Sequence, residues 1–309
     1  MRRIFGLADW PAEVRAPVLA LGTFDGVHLG HQRVIGRAVE RARARGGPAA
    51  ALTFEPHPLE VLRPGREPVL LSTIDERLEQ FEALGLDAAL VLPFDDAFSR
   101  ISAAAWLGDV LRGRLDAREI VAGSSYTFGF RREGSARQLE AWGRRSDVPV
   151  HLVPAVLMGG EPVSSSRIRA ALREGLVEDA GRLLGRRYRL AGRVVPGEGR
   201  GRTIGVPTAN LAAEPRKIAP AHGVYATVAT LGGRRYGGAT NIGVRPTFGG
   251  GAVSVETFLL DFDGDCAGEP MTLEFARRVR DERAFPDAAA LTRQIAADID
   301  AVRQLLAEG

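Results

Sequence analysis

The sequence predicts an α/β domain built on a parallel sheet, followed by an antiparallel β-barrel domain with a closing C-terminal helix. Three observations predict it. Short apolar runs alternate with helical patterns from residue 18 to about 155. After about residue 186, strand-like runs follow one another between Gly- and Pro-rich turns. The chain then ends on an amphipathic helical stripe.

V-L-A-L (18–21) reads as a buried strand, and the pattern Val34, Ala38, Ala42 after it as a helix that stops at Gly46-Gly47. A-A-A-L-T-F (49–54) is the next strand. Thr73 and Glu76 have capping-box spacing and open a helix through Leu78, Phe81 and Leu84. A-A-L-V-L (88–92), E-I-V-A-G (119–123) and V-H-L-V (150–153) are further strands, with a helix around 102–111. This alternation implies a Rossmann-like parallel sheet with ligands at the carboxyl ends of its strands. Residues 168–184 read as two short helices broken at Gly175, which places the domain boundary near Gly185 and the domains at 1–185 and 186–309. Barrel strands are expected at 188–195, 223–230, 235–242, 253–261 and 271–277. Leu291, Ile295, Ile299, Val302 and Leu306 form the stripe of the closing helix.

Composition narrows the class. The 309 residues carry a net charge of +3, and Lys217 is the sole lysine, so nearly every base is an arginine that keeps its charge and forks onto phosphates. Such a balance suits anionic nucleotides, and equally scattered solvated arginines or weak nucleic-acid binding. The dense run from Arg41 to Arg45 sits at an expected helix end, where cations complement the dipole. No run approaches a membrane span, and the N-terminus lacks the apolar core of a secretory signal. A lone cysteine, Cys266, allows no internal disulfide, so a cytoplasmic location is expected.

Four motifs carry chemistry. G-T-F-D-G-V-H-L-G-H (22–31) leaves a strand and enters a helix, placing His28, His31 and several backbone N–H groups at a helix start. That is an anion cradle, or an ordinary turn with solvated histidines; a zinc pair would want further ligands at suitable spacing, which are not evident. V-S-S-S-R-I-R (163–169) is a second helix start, either plainly capped or able to hold phosphate through Ser165, Ser166 and Arg169. G-E-G-R-G-R-T-I-G-V-P-T-A-N (197–210) combines a Gly-Arg loop with Thr208 and Asn210, oxygen ligands of the kind a magnesium-nucleotide needs. In S-V-E-T-F-L-L (254–260), alternation puts Glu256 on one face with Phe258 and Leu260, so an interior position is expected, with a catalytic task or a salt bridge to arginine.

With T-F-E-P-H-P (53–58), F-S-R-I-S-A-A-A-W (98–106), G-V-Y-A (223–226) and T-N-I-G-V-R-P-T-F-G (240–249), these motifs resemble the bifunctional prokaryotic FAD synthetases over essentially the whole chain. The N-terminal module of that family is an H-x-G-H nucleotidyltransferase and the C-terminal module a riboflavin kinase. The resemblance implies phosphorylation of riboflavin to FMN, then adenylylation of FMN to FAD with release of pyrophosphate. It implies that Gly22, Phe24, His28 and His31 meet the ATP phosphates, that Ser165, Ser166 and Arg169 complete that site, and that His57 flanks it. Ser125, Tyr126 and Phe128 would line its flavin side. In the kinase, Gly199, Gly201 and Thr208 would hold ATP, Thr208 and Asn210 the Mg²⁺, and Arg280 and Glu282 the flavin, with Glu256 as base. The implied partners are riboflavin, FMN and ATP, with no nucleic acid, membrane or obligate protein partner. Two departures stand out: Ser125 replaces the family's acidic residue or asparagine, and D-C-A-G (265–268) replaces D-L-Y-G. An adenylyltransferase with an inert barrel, or a flavin or nucleic-acid binder without catalysis, are the readings from other classes.

Overall fold

The computed structural model describes residues 1–196, 207–244 and 253–308. They form two compact units, Met1–Ser164 and Ser165–Gly309. The first is built on six parallel strands: β1 (Arg2–Phe5), β2 (Val18–Leu21), β3 (Ala49–Glu55), β4 (Ala88–Pro93), β5 (Glu119–Gly123) and β6 (Val150–Val153). Their spatial order is β1-β4-β3-β2-β5-β6. The helices of this unit include α1 (Leu29–Arg45), α2 (Pro58–Leu62), α3 (Ile74–Ala83) and α4 (Ala136–Ser146). Val18, Ala20, Ala49 and Ala51 pack with Val34 and Ile35 of α1 and Leu78 and Phe81 of α3. Leu19, Leu21, Leu52 and Ile120 pack on the other side with Trp106, Leu111 and Leu139. Both faces are covered, which is why these strands read as continuous apolar runs rather than alternating ones.

Two elements here differ from expectation. β1 was not expected, because R-R-I-F holds only two apolar residues and buries Ile4 alone; its order comes from pairing with β4. The helix expected around 102–111 is a single α-turn, Ala103–Ala105, running into a π-wound stretch, Trp106–Arg114.

The second unit opens with α5 (Ser165–Arg173) and α6 (Val177–Leu184), separated by Gly175 at φ 75°. The sequence reading divides the domains after Gly185, whereas the compact units divide at Ser164. α5 and α6 bond to the barrel: Arg278 donates to the Glu174 carbonyl at 3.1 Å, and Arg277 to Glu178 at 3.0 Å. The barrel strands are β7 (Tyr188–Val195), β8 (Ala209–Ala213), β9 (Gly223–Leu231), β10 (Arg234–Val244), β11 (Val253–Leu259) and β12 (Pro270–Arg280). They close antiparallel in the order β7-β8-β11-β10-β9-β12. β8, which carries Asn210, was missed, because P-T-A-N-L-A-A offers one large apolar residue.

Inside the barrel, Thr227, Thr240 and Thr257 are fully buried and linked hydroxyl to hydroxyl at 2.7 and 2.9 Å across three strands. Each polar group thereby keeps a partner away from water. Outside it, α7 (Ala288–Ala307) covers Ala226, Ala239 and Phe258 with Val302, Ile299 and Leu306.

The arginine run at the end of α1 does more than complement a dipole. The helix stops at Gly46 in the left-handed region, φ 64°. Arg41 forks onto the fully buried Glu119 at 2.9 and 3.0 Å, Arg45 joins it, and His151 approaches the same carboxyl at 2.7 Å. Burial alone would raise the Glu119 carboxyl, but the hydrogen bonds from Arg41, Arg45 and His151 outweigh it and hold the group at about 2, against an ordinary 4.5. A carboxyl depressed on folding stabilises the fold above its unfolded value and loses that contribution as pH falls through its folded value. Glu119→Gln should therefore melt at a lower temperature at neutral pH, and its melting temperature should fall less steeply than that of the wild type from pH 4.5 towards 2. Thermal melts across that range check this, and parallel slopes would contradict it.

Candidate functional site

The strand order reverses at β2: β3 and β4 lie on one side of it, β5 and β6 on the other. The loops after β2 and β5 consequently diverge, and the crevice between them is where open α/β sheets bind ligands. The loop after β2 is the H-x-G-H segment, and the loop after β5 is the one carrying Ser125, Tyr126 and Phe128.

His28 is the N-cap of α1, with its Nδ1 accepting from the Gly30 and His31 backbone N–H groups at 3.1 and 3.3 Å. An accepting Nδ1 puts the proton of the neutral ring on Nε2, so His28 presents a donor. Gly30 makes room for this ring, since a Cβ there would lie 3.0 Å from His28 Cε1. His31 stacks on His28 with ring centroids 3.6 Å apart, and the edge of Phe24 meets it at 5.3 Å. Gly22 in turn is needed beside the Phe24 ring, which a Cβ would approach to 2.9 Å. The two imidazoles thus share one wall at a helix start, where backbone N–H groups and the dipole favour an anion.

This loop is bent against its own preferences. Phe24 and Val27 adopt φ 53° and 41°, each costing roughly 1–3 kcal/mol for a non-glycine residue. The buried Asp25 offsets that cost. Its carboxylate accepts from the Leu71 and Ser72 backbone N–H groups and from Ser72 Oγ at 3.0–3.2 Å, each worth about 1.5–3 kcal/mol. From α3, the fully buried Arg77 donates to the Thr23 carbonyl at 3.1 Å, to the Phe54 carbonyl at 3.0 Å and to Glu55 at 2.7 Å. Sequence reading overlooked Arg77. Its signal was position: it lies four residues before Phe81, on the buried stripe of α3.

Across the crevice, Phe128 is buried, Tyr126 half-buried and Ser125 exposed. The two rings lie nearly parallel with centroids 5.6 Å apart. Burial raises the Tyr126 phenol above its ordinary range, so it stays protonated. Gly129, at φ 75°, passes so close to Ala103 that a Cβ would lie 2.7 Å from its nitrogen. Phe130 N–H donates to the Ile101 carbonyl at 2.7 Å, so F-S-R-I-S-A-A-A-W and this loop form one wall. His57 caps α2 through Nδ1, accepting from Leu59 N–H at 3.1 Å, and is buried. Ser165, Ser166 and Arg169 belong to α5 in the second unit, with Arg169 buried and Ser166 exposed.

In the barrel, Glu256 of β11 is register partner to Asn210 of β8 on one side and Asn241 of β10 on the other. The expected interior position of Glu256 is corrected: the interior face is Val255, Thr257 and Leu259, and Glu256 is half-buried on the outward face. That face also looks apolar in sequence because α7 covers it at Phe258. Thr208 lies two residues before Asn210, just outside β8. Hydroxyl, amide and carboxylate oxygens are hard donors, a set that fits a magnesium ion retaining several waters. Glu282 lies against β10, its carboxylate 2.6 Å from where a Cβ on Gly243 would sit. Arg280 is held by the buried Asp298 of α7 at 2.7–3.1 Å and faces the Phe285 ring at 5.7 Å. Gly199 and Gly201 lie outside the described residues.

Together these features define a two-module class: a parallel-sheet unit with two stacked imidazoles at a helix start, and a closed barrel bearing a polar row on its outward face. A family profile described as FAD synthetase matches residues 11–167, and one described as riboflavin kinase matches residues 184–306. The bifunctional riboflavin kinase/FMN adenylyltransferase of Bacillus subtilis (strain 168) is 38% identical over 287 residues, 91% of this chain and 90% of that protein. Its counterpart from Pseudomonas fluorescens is 36% identical over 308 residues, covering 99% and 98%. A crystal structure from Streptococcus pneumoniae, described as a macrolide-efflux protein, matches with TM-score 0.90 and 32% identity over 98% of this chain and 99% of that one. Among the described residues of this chain, no helix is long and apolar enough to cross a membrane. The chain belongs to the bifunctional riboflavin kinase/FMN adenylyltransferase family.

Burial, and then the charges of His28 and Arg77, hold His31 well below its ordinary 6.5. A histidine depressed on folding takes up its proton in the unfolded chain first, so stability falls as pH drops through 6.5 and levels off below the folded value. His31→Asn should remove that slope. Melting temperatures between pH 7.5 and 5, buffered at constant ionic strength, check the sign; an unchanged slope would mean that His31 is not held neutral in the fold.

Proposed function

We propose that this chain converts riboflavin to FMN in its barrel and FMN to FAD in its parallel-sheet unit, spending an ATP on each step. The observation that carries this reading is the switch-point crevice, with two stacked imidazoles at a helix start on one side and an aromatic wall on the other. In the second step an FMN phosphate oxygen attacks the α-phosphorus of ATP, the bond to the β-phosphate breaks, and pyrophosphate leaves. The nucleophile is already anionic, so the site needs donors rather than a base. His28 and His31 supply them, with Gly22 and Phe24 shaping the cradle; the family resemblance gives Ser165, Ser166 and Arg169 the role of phosphate donors. Ser125, Tyr126 and Phe128 face the flavin.

In the first step the ribityl 5′-hydroxyl attacks the γ-phosphorus, its proton passes to Glu256, and ADP leaves. Gly199, Gly201 and Thr208 hold the ATP phosphates. Thr208 and Asn210 would hold a Mg²⁺, which neutralises phosphate charge when bound. Glu282 and the Arg280 segment cover the isoalloxazine. Functionally the modules span 1–185 and 186–309, and the enzyme works in the cytoplasm on small molecules alone, without an obligate protein or nucleic-acid partner.

Incubation with riboflavin and Mg·ATP, followed by chromatographic separation of the flavins, tests the reading; riboflavin recovered unchanged would end it. Glu256→Gln should lower riboflavin phosphorylation by roughly 10²–10⁴-fold while FMN supplied directly still becomes FAD. A melting curve separates this from a structural role, and a stable variant with a normal kinase rate would remove Glu256 from the chemistry. His31→Ala should do the reverse, slowing FAD formation by about 10²–10³-fold and sparing the kinase.

A further inference from the structure

We infer that Arg77 is a positioning residue for adenylyl transfer, fixing the backbone on which His28 and His31 are carried. The inference rests on the nucleotidyl-transfer reading of the cradle. Arg77 is fully buried, and among the described residues its guanidinium bonds to two segments that meet at the carboxyl edge of the sheet. One is the cradle: Nη1 donates to the Thr23 carbonyl, which also accepts from Thr53 Oγ1 at 2.8 Å. The other is the end of β3, where Nη1 reaches Thr53 Oγ1 at 3.2 Å and the Phe54 carbonyl, and Nη2 pairs with Glu55. Thr23 directly precedes Phe24, the first left-handed residue of the loop, and Phe24 in turn presses its ring edge against His31. A continuous chain of contact therefore runs from Arg77 through Thr23 and Phe24 to the imidazole pair.

A purely structural role does not account for this choice of residue. Burying a guanidinium costs more than burying a methionine or leucine of similar volume, which could pack α3 on the sheet equally well. The Nε of Arg77 has no partner among the described residues, so part of its donor capacity is left unsatisfied in exchange for the bonds that Nη1 and Nη2 make. Two of those bonds go to backbone carbonyls, one in the cradle loop and one at the end of β3, which no apolar residue could hold. The same positive charge also bears on His31. His28 stacks on that imidazole and the edge of Phe24 meets it, both from the cradle, and the charge of Arg77 on α3 helps to hold it neutral. Asp25 is engaged with Leu71 and Ser72, and Glu55 with Arg77.

The test uses the full chain carrying Arg77→Met, Arg77→Lys or His31→Ala, with riboflavin phosphorylation and FMN adenylylation assayed separately. Arg77→Met should leave phosphorylation unchanged and lower kcat for FAD formation by up to about 10²-fold, the cost of a site displaced by an ångström. The acid limb of its kcat/KM profile should move to higher pH, because the charge of Arg77 no longer helps to hold His31 in its neutral form. Arg77→Lys keeps the charge and loses the fork, so it should keep the wild-type limb and still lose rate. A lower rate that merely tracks the folded fraction, with the limb unmoved, would reduce Arg77 to a structural role. If Arg77→Met does not fold, Arg77→Lys decides: a folded lysine variant with wild-type kcat overturns the inference. Full FAD formation in His31→Ala would instead bring down the reading of the cradle itself, a result distinguishable from normal rates in the Arg77 variants alone.

Discussion

A carboxylate that never reaches solvent governs the N-terminal site. Asp25 gathers the Leu71 and Ser72 backbone N–H groups and the Ser72 hydroxyl, while Gly26 N–H donates to the same hydroxyl at 2.8 Å. Only with that anchor can Phe24 and Val27 remain in the left-handed region, and only from that bend does α1 begin with His28 as its cap. Loop strain, helix start and the stacked imidazoles form one arrangement with a common cause. The chain carries backbone strain here at the start of α1, and strain of this kind clusters at functional sites.

The barrel solves the opposite problem. Its interior is filled by side chains, including the hydroxyl-linked Thr227, Thr240 and Thr257, and Glu256 lies on the outward face. α7 takes one part of that surface and leaves the Asn210–Glu256–Asn241 row beside it. Because these three side chains sit on adjacent paired strands, their spacing is set by sheet geometry rather than by flexible loops. Arg280 is tied to Asp298, which fastens the end of β12 to the covering helix.

Much of this was legible in the sequence. Parallel strands buried on both faces are continuous apolar runs, and the α1 and α3 boundaries are marked by a left-handed Gly46 and by the Thr73–Glu76 capping box. What escaped reading shares a physical reason: long-range pairing that local pattern does not encode. β1 and β8 are too short and too polar to announce themselves, and exist because β4 and β11 offer them edges. Arg77 stands among Asp75, Glu76 and Glu79 and looks like one more charge on a solvated helix. Glu256 was placed on the wrong face because a helix laid over a barrel makes both faces of a strand apolar, so alternation loses its meaning. The placement of His28 and His31 at the start of α1 was legible because it depends on local spacing alone.

The helix α1 is fastened at both ends, by the His28 cap at its start and by Arg41 and Arg45 on Glu119 at its finish. An α-helix turns about 100° and advances about 1.5 Å with each residue. A single residue added or deleted between the two fastenings would swing one of them roughly a quarter-turn out of reach, whatever the residue was. The outer surface of α1 is therefore open to substitution while its length is not. Over evolutionary time this stretch should drift in composition and stay constant in count, like a shaft whose keyways are cut at fixed angles.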